Sequence, residues 1–164
     1  MKKRIALITG ATRGIGKEIS LALAQEDIHV ILLGRTIGAL EEISDKIHSN
    51  GGNATCVQFD LSDLNKIYDL SQKIKERWGK LDILISNAAF LHNLTPLSHL
   101  SDKDWQISIN VNLSANWLLI KHFEKLLLES ENGKAIFITS GASEGFRPFW
   151  GCLLYTSPSP RDAS

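Results

Sequence analysis

Three glycines, Gly10, Gly14 and Gly16, lie in the segment Thr9-Gly-Ala-Thr-Arg-Gly-Ile-Gly16. The run before it, Arg4-Ile-Ala-Leu-Ile-Thr9, is short, apolar and β-branched, the pattern of a buried parallel strand. After it, Ile19, Leu21, Ala22, Leu23 and Ala24 recur as on one helix face. A glycine-rich turn between strand and helix aims free backbone N–H groups and the positive helix end at one spot. A dinucleotide pyrophosphate suits that spot, because glycine lets the backbone come close. Glycines serving only a tight turn would need no helix behind them. Gly10, Ala11, Thr12, Arg13, Gly14, Ile15 and Gly16 are therefore candidate cofactor-binding residues.

Cofactor choice falls at the end of the second strand. An acid about 20 residues past the glycine turn binds the ribose 2′-hydroxyl of NAD. This chain has Gly34-Arg35 there. An arginine cannot accept those hydroxyl bonds but pairs well with a 2′-phosphate, and Arg13 can reach the same group. Two solvated surface arginines are the plainer alternative. Both together, with no acid at position 34, favour NADP(H) over NAD(H).

Positioning these residues takes a strict alternation of strand-like and amphipathic runs. His29–Leu33, Ala54–Phe59, Leu81–Ser86 and Lys134–Thr139 read as strands two to five. Between them fall a helix with Ile37, Leu40, Ile43 and Ile47, and a third helix with Leu64, Ile67, Leu70 and Ile74 that Ser62 is placed to cap. A long helix runs from a Ser101/Asp104 capping pair through Leu128. The pattern predicts an α/β doubly wound parallel sheet, a Rossmann fold, with strand order 3-2-1-4-5 and the ligand crevice beside strand 1.

The 164 residues suffice for one domain. Eighteen basic residues balance eighteen acidic ones, so nothing points to nucleic acid or a membrane surface. No apolar run has the length of a membrane span, and none reads as a signal peptide. Cys56 and Cys152 lack metal-ligand spacing, which predicts no metal and a reducing, cytoplasmic setting. After Gly151 the pattern stops. Cys152-Leu-Leu-Tyr-Thr-Ser-Pro-Ser-Pro-Arg-Asp162 resembles a reading frame of the transposon-end and adaptor DNA used in sequencing libraries. That resemblance implies that 152–164 is an irregular tail of artefactual origin and 1–151 an incomplete NADP-binding domain. A natural Pro/Ser-rich tail is the other reading.

The glycine spacing, Thr-Gly-x-x-x-Gly-x-Gly, together with Asp60, Asn87-Ala88-Ala89 and Val-Asn112-Leu, resembles the short-chain dehydrogenase/reductase family over residues 4 to about 151. The resemblance implies hydride transfer between NADP(H) and a ketone/alcohol pair, a small-molecule substrate and a homo-oligomeric parent. It implies that Asp60, followed by Leu61, approaches the adenine amino group, and that Asn87 and Ala88 brace the cofactor crevice. Ala89 stands where the family has Gly, which reaches φ > 0 more cheaply. It further implies that Asn112 marks a main-chain kink or water site in a proton relay, where a satisfied core asparagine is the plainer reading. Ser140 takes the place of the catalytic serine that hydrogen-bonds the substrate carbonyl, with Ser143 nearby. The family's Tyr-x-x-x-Lys pair is not matched: Tyr155 is followed four residues on by Ser159, amid prolines that preclude a helix. Tyr155 is accordingly not assigned, and this chain is expected to be inactive. A non-catalytic NADP(H)-binding sensor on the same fold is the alternative from another class.

Overall fold

A computed structural model describes residues 3–91 and 97–140 of the chain. Its strands are β1 (Arg4–Thr9), β2 (Ile28–Gly34), β3 (Asn53–Gln58), β4 (Ile83–Ser86) and β5 (Lys134–Phe137). Its helices are α1 (Gly14–Gln25), α2 (Ile37–Ser49), α3 (Ile67–Trp78), α4 (Asp102–Ile109) and α5 (Ala115–Leu128). All strand pairs are parallel and the order is β3-β2-β1-β4-β5, as the alternation predicted.

Side-chain parity divides the core in two. Ile5, Leu7, Ile31, Leu33 and Leu84 pack against α3 and α5, through Ile67, Leu70 and Ile74 and through Ala115, Leu119 and Phe123. Ala6, Ile8, Val30, Leu32 and Ile85 pack against α1 and α2, through Ala24, Leu40, Ile43 and Ile47. Gly16, Ser20 and Ala24 are the buried residues of α1. These small side chains, four apart, let the helix lie close to the sheet, and Ser20 Oγ donates to Gly16 O at 2.7 Å. Leu7, Ile8, Ile31 and Leu32 are each 0% exposed, so the central strands have cover on both faces.

Strand ends shift by one or two residues from the sequence reading, and two helix features differ from it. Ser62 does not cap the third helix. Its N–H and hydroxyl both donate to Asp60 Oδ1 at 2.8 Å, and a 3-10 turn (Leu64–Lys66) precedes α3. The carboxylate two residues upstream captures both donors before the helix can use them. The long helix runs unbroken to Leu128 as expected but is not α-helical throughout. Ser101 caps it as expected, its Oγ accepting from Asp104 N–H at 3.1 Å, but Asn110–Ser114 form a π-helical turn between α4 and α5.

At the amino edge of the sheet Asp82 is almost wholly buried, and it ties three segments together. Ile5 N–H donates to its carboxylate at 2.8 Å, Lys80 Nζ pairs with it at 2.8 Å, and Ser130 Oγ donates to it as well. Burial alone would raise the Asp82 pKa. The bonds from Lys80, Ser130 and Ile5 outweigh it and hold the carboxyl below its ordinary value.

Candidate functional site

The opposite, carboxyl edge of the sheet opens into a cleft of about 500 Å³. Its rim begins where β1 ends. Gly10 has φ +65° and Gly14 φ +55°, both in the left-handed region. Gly16 is needed for a different reason. A Cβ there would stand 2.3 Å from Gly10 O and 2.5 Å from Asn87 Nδ2, so the start of α1 can lie against the turn only without a side chain. Arg13, the residue before α1, makes no side-chain capping bond, and the first turn of α1 carries no acid. The N-terminal amides and the positive end of the helix dipole are thus left available to an anion.

The β1 and β4 ends are joined across 78 residues. Asn87 Nδ2 donates to Thr9 O at 3.1 Å and Gly10 O at 3.2 Å. Thr9 Oγ1 accepts from the N–H groups of Asn87 at 2.9 Å and Ala88 at 3.0 Å. Thr9 was legible only as part of the turn; its buried hydroxyl is the pin of this junction. Among the described residues Asp27 is the one non-glycine with positive φ, so Ala89 keeps an ordinary backbone and its alanine carries no strain.

At the far side of the cleft lie Gly34, Arg35, Asp60, Leu61 and Ser62. Burial pushes the Asp60 carboxyl up, but the Ser62 amide and hydroxyl, Arg35 and Lys66 together hold it below its ordinary value. It is therefore an acceptor over the neutral range. Arg35 is close enough to act on Asp60. Yet among the described residues the ion pairs are Lys3–Asp27, Lys17–Glu18, Lys66–Asp63 and Lys80–Asp82, and neither Arg13 nor Arg35 joins one.

The π turn closes the near wall. Asn112 Oδ1 accepts from Phe90 N–H and its Nδ2 donates to Phe90 O, both at 2.8 Å. Asn116 Nδ2 donates to Asn112 O at 2.7 Å, and Ser86 Oγ donates to Asn116 Oδ1. Asn110 Nδ2 reaches Ser62 O at 3.4 Å. The π turn thus ties the β4 exit to the loop after β3. Ser86, Phe90 and Asn116 had no sequence signal beyond the neighbouring Asn87 and Asn112.

The cleft brings together Gly10, Thr12, Arg13, Gly14, Ile15, Arg35, Asp60, Leu61, Asn87 and Ala88. Ala11 and Gly16 are buried just behind its rim. Asn112 stands behind Phe90 and does not line the cleft. Ser140 follows β5 at the same carboxyl edge and is exposed. Ser143, Cys152, Tyr155 and Ser159 lie outside the described residues. Among the described residues no helix is long and apolar enough to cross a membrane, and no group of three His, Cys, Asp or Glu is placed to hold a metal.

The profile of the short chain dehydrogenase family matches residues 4–157. The chain is 34% identical over 140 residues to a 3-oxoacyl-[acyl-carrier-protein] reductase of Synechocystis sp., covering 85% of this chain and 56% of that protein. It is 32% identical to gluconate 5-dehydrogenase of Gluconobacter oxydans, covering 93% of this chain and 58% of that one. Among solved structures, a metagenomic short-chain oxidoreductase in complex with NADP superimposes with a TM-score of 0.85 at 29% identity, covering 90% of this chain and 67% of that one. The chain thus spans little more than half the length of the curated relatives it matches.

Proposed function

The chain belongs to the short-chain dehydrogenase/reductase family, and on that premise we propose that it is the dinucleotide-binding part of an NADP(H)-dependent oxidoreductase acting on a ketone/alcohol pair. One observation carries the reading. The amino end of α1 has no side-chain cap and no acid, and it faces a cleft whose other wall offers Arg35 and no acid at position 34. When bound, NADP(H) supplies or accepts the hydride.

This chain's residues divide the remaining work. The amides at the start of α1, reached across Gly10, Gly14 and Gly16, hold the pyrophosphate. Arg13 and Arg35 pair with the 2′-phosphate. Asp60, kept ionised by Ser62, accepts from the adenine amino group, with Leu61 against the ring. Asn87 and Ala88 form the floor that keeps the cofactor beside β1 and β4. Ser140 donates its hydroxyl to the substrate carbonyl. Asn112 is a positioning residue: its side chain fixes Phe90, and its kink turns a main-chain carbonyl toward the relay. Tyr155 is given no role. The boundary at Gly151, the artefactual tail, the homo-oligomeric parent and a cytoplasmic setting belong to the same proposal. The wide spread of relatives, from an acyl-carrier-protein reductase to a gluconate dehydrogenase, supports the reaction class without choosing a substrate.

Dissociation constants of the 164-residue chain for NADPH and NADH test the reading. An arginine–phosphate pair is worth about 1.5–3 kcal/mol, so NADPH is expected to bind at least about tenfold more tightly. Equal constants would overturn the cofactor assignment. Ketone-dependent NADPH oxidation by this chain at an ordinary enzyme rate, abolished by Tyr155→Phe, would give Tyr155 a catalytic role and overturn the expected inactivity.

A further inference from the structure

At the carboxyl end of β2 three consecutive carbonyls are taken by three different donors. Leu33 O accepts from Ala11 N–H at 3.2 Å, Gly34 O from Phe59 N–H at 2.8 Å, and Arg35 O from Gln58 Nε2 at 3.0 Å. The first two bonds are backbone to backbone and survive any substitution short of proline. The third depends on one side chain. Gln58 ends β3 directly opposite Gly34 in the parallel register, so its amide spans one residue step to reach Arg35. Beyond Arg35 the chain is less restrained: Thr36, at the amino end of α2, makes no side-chain capping bond. On the other side Gly34 is wedged, since a Cβ there would meet Thr12 Cγ2 at 3.1 Å and Leu40 Cδ2 at 3.2 Å.

Arg35 itself is exposed and makes no ion pair among the described residues. Holding the root of a long side chain lowers the ordering cost that binding a ligand must meet. We propose that Gln58 is a specificity-determining positioning residue: by holding the Arg35 carbonyl it fixes where the guanidinium projects, and so sets the preference for a 2′-phosphorylated dinucleotide. Gln58 does not line the cleft. It acts on the ligand through Arg35 alone. The inference rests on the NADP(H) reading above and adds a residue to it.

Gln58→Met keeps the length of the side chain and removes the donor. The position is exposed on an edge strand, so the fold should tolerate it; matching thermal midpoints check this, and Gln58→Leu is a second variant with the same reading. A single neutral hydrogen bond of this kind predicts a two- to fivefold weaker NADPH constant, with NADH unchanged. In an Arg35→Ala background the same substitution should change nothing further. Equal losses for both cofactors, no loss, or a full loss in the Arg35→Ala background would each overturn the proposal. The two levels are separable. If Arg35→Ala leaves the NADPH preference intact, the cofactor reading fails and the inference with it. If Arg35→Ala abolishes the preference while Gln58→Met retains it, only the role of Gln58 fails.

Discussion

At the amino edge of the sheet one carboxylate, Asp82, gathers an amide, an ammonium and a hydroxyl, whereas at the carboxyl edge the first turn of α1 has neither a capping side chain nor an acid. The same five strands end in both places. At one edge the Asp82 carboxylate is used internally, and its charge is stabilised by donors fixed in the fold. At the other Thr9 and Asn87 pin the strand ends together, but the first amides of α1 are left uncapped, and among the described residues neither Arg13 nor Arg35 joins an ion pair. Satisfied groups hold a fold together; unsatisfied ones, kept rigid, are what a ligand can pair with. Substitutions at the two edges should therefore separate stability from binding.

The largest effect is expected where the open edge is tightest. Gly16→Ala drives a Cβ into Gly10 O and the Asn87 amide, for a strain of about 3 kcal/mol and a loss of about a hundredfold in NADPH affinity. Gly14→Ala meets no atom within 4 Å and is strained only by its φ, for about 1–2 kcal/mol. Titrating both variants with NADPH ranks the two glycines; equal effects would break the distinction between close approach and backbone sign.

At the sealed edge Asp82→Ala orphans the buried Ile5 N–H and should cost about 2–3 kcal/mol in urea unfolding, while the folded chain binds NADPH as before. Weakened binding would show that the edges are coupled. The same carboxylate contributes to acid stability, beside Asp60. Its folded pKa lies below the ordinary 3.8, so its contribution is complete above 3.8 and is lost as pH falls from there through the lowered value. In a thermal-midpoint series against pH the acid limb should be shallower in Asp82→Ala, with the Asp60 share remaining.

Arg35→Asp at the open edge should abolish the preference for NADPH, a shift of about tenfold or more, and move it toward NADH, with no change in unfolding midpoint. The smallest effect belongs to His29. Burial first, then the positive charges of Arg77, Lys3 and His48, lowers its pKa below 6.5. Neutral His29 bonds Thr55 Oγ1 at 2.9 Å and packs against Trp78. Its contribution is present above 6.5 and declines as pH falls below it, and His29→Gln should flatten that earlier slope in the same series.

What was readable in the chain was periodic or punctuated. Alternating apolar runs carried the strand order, and the glycine spacing carried the tight turn that lies against Asn87. The residues that escaped act across long sequence separations. Asp82 meets Ile5 from 77 positions away, and Asn116 meets Ser86 from 30. No local pattern announces such a pair. Ser62 was misread for a related reason: cap and Asx turn use the same residue types, and Asp60, two positions upstream, decides between them. Roles given to Asp60, Asn112 and Ser140 came from family resemblance, since an Asp, an Asn or a Ser at a strand or helix end has ordinary structural uses.

The grip of Asn112 on residue 90 has a consequence for how this cleft can change. Both bonds go to the main chain of Phe90, one to its amide and one to its carbonyl, so the anchor reads the peptide and ignores the side chain. Phe90 meanwhile is one of the residues lining the cleft. Position 90 can therefore be rewritten to reshape the wall without releasing the loop that carries it, except by proline, which would delete one of the two bonds. Asn112 has no such latitude. Few other side chains present a donor and an acceptor side by side as a peptide does, and variation at the wall depends on constancy behind it.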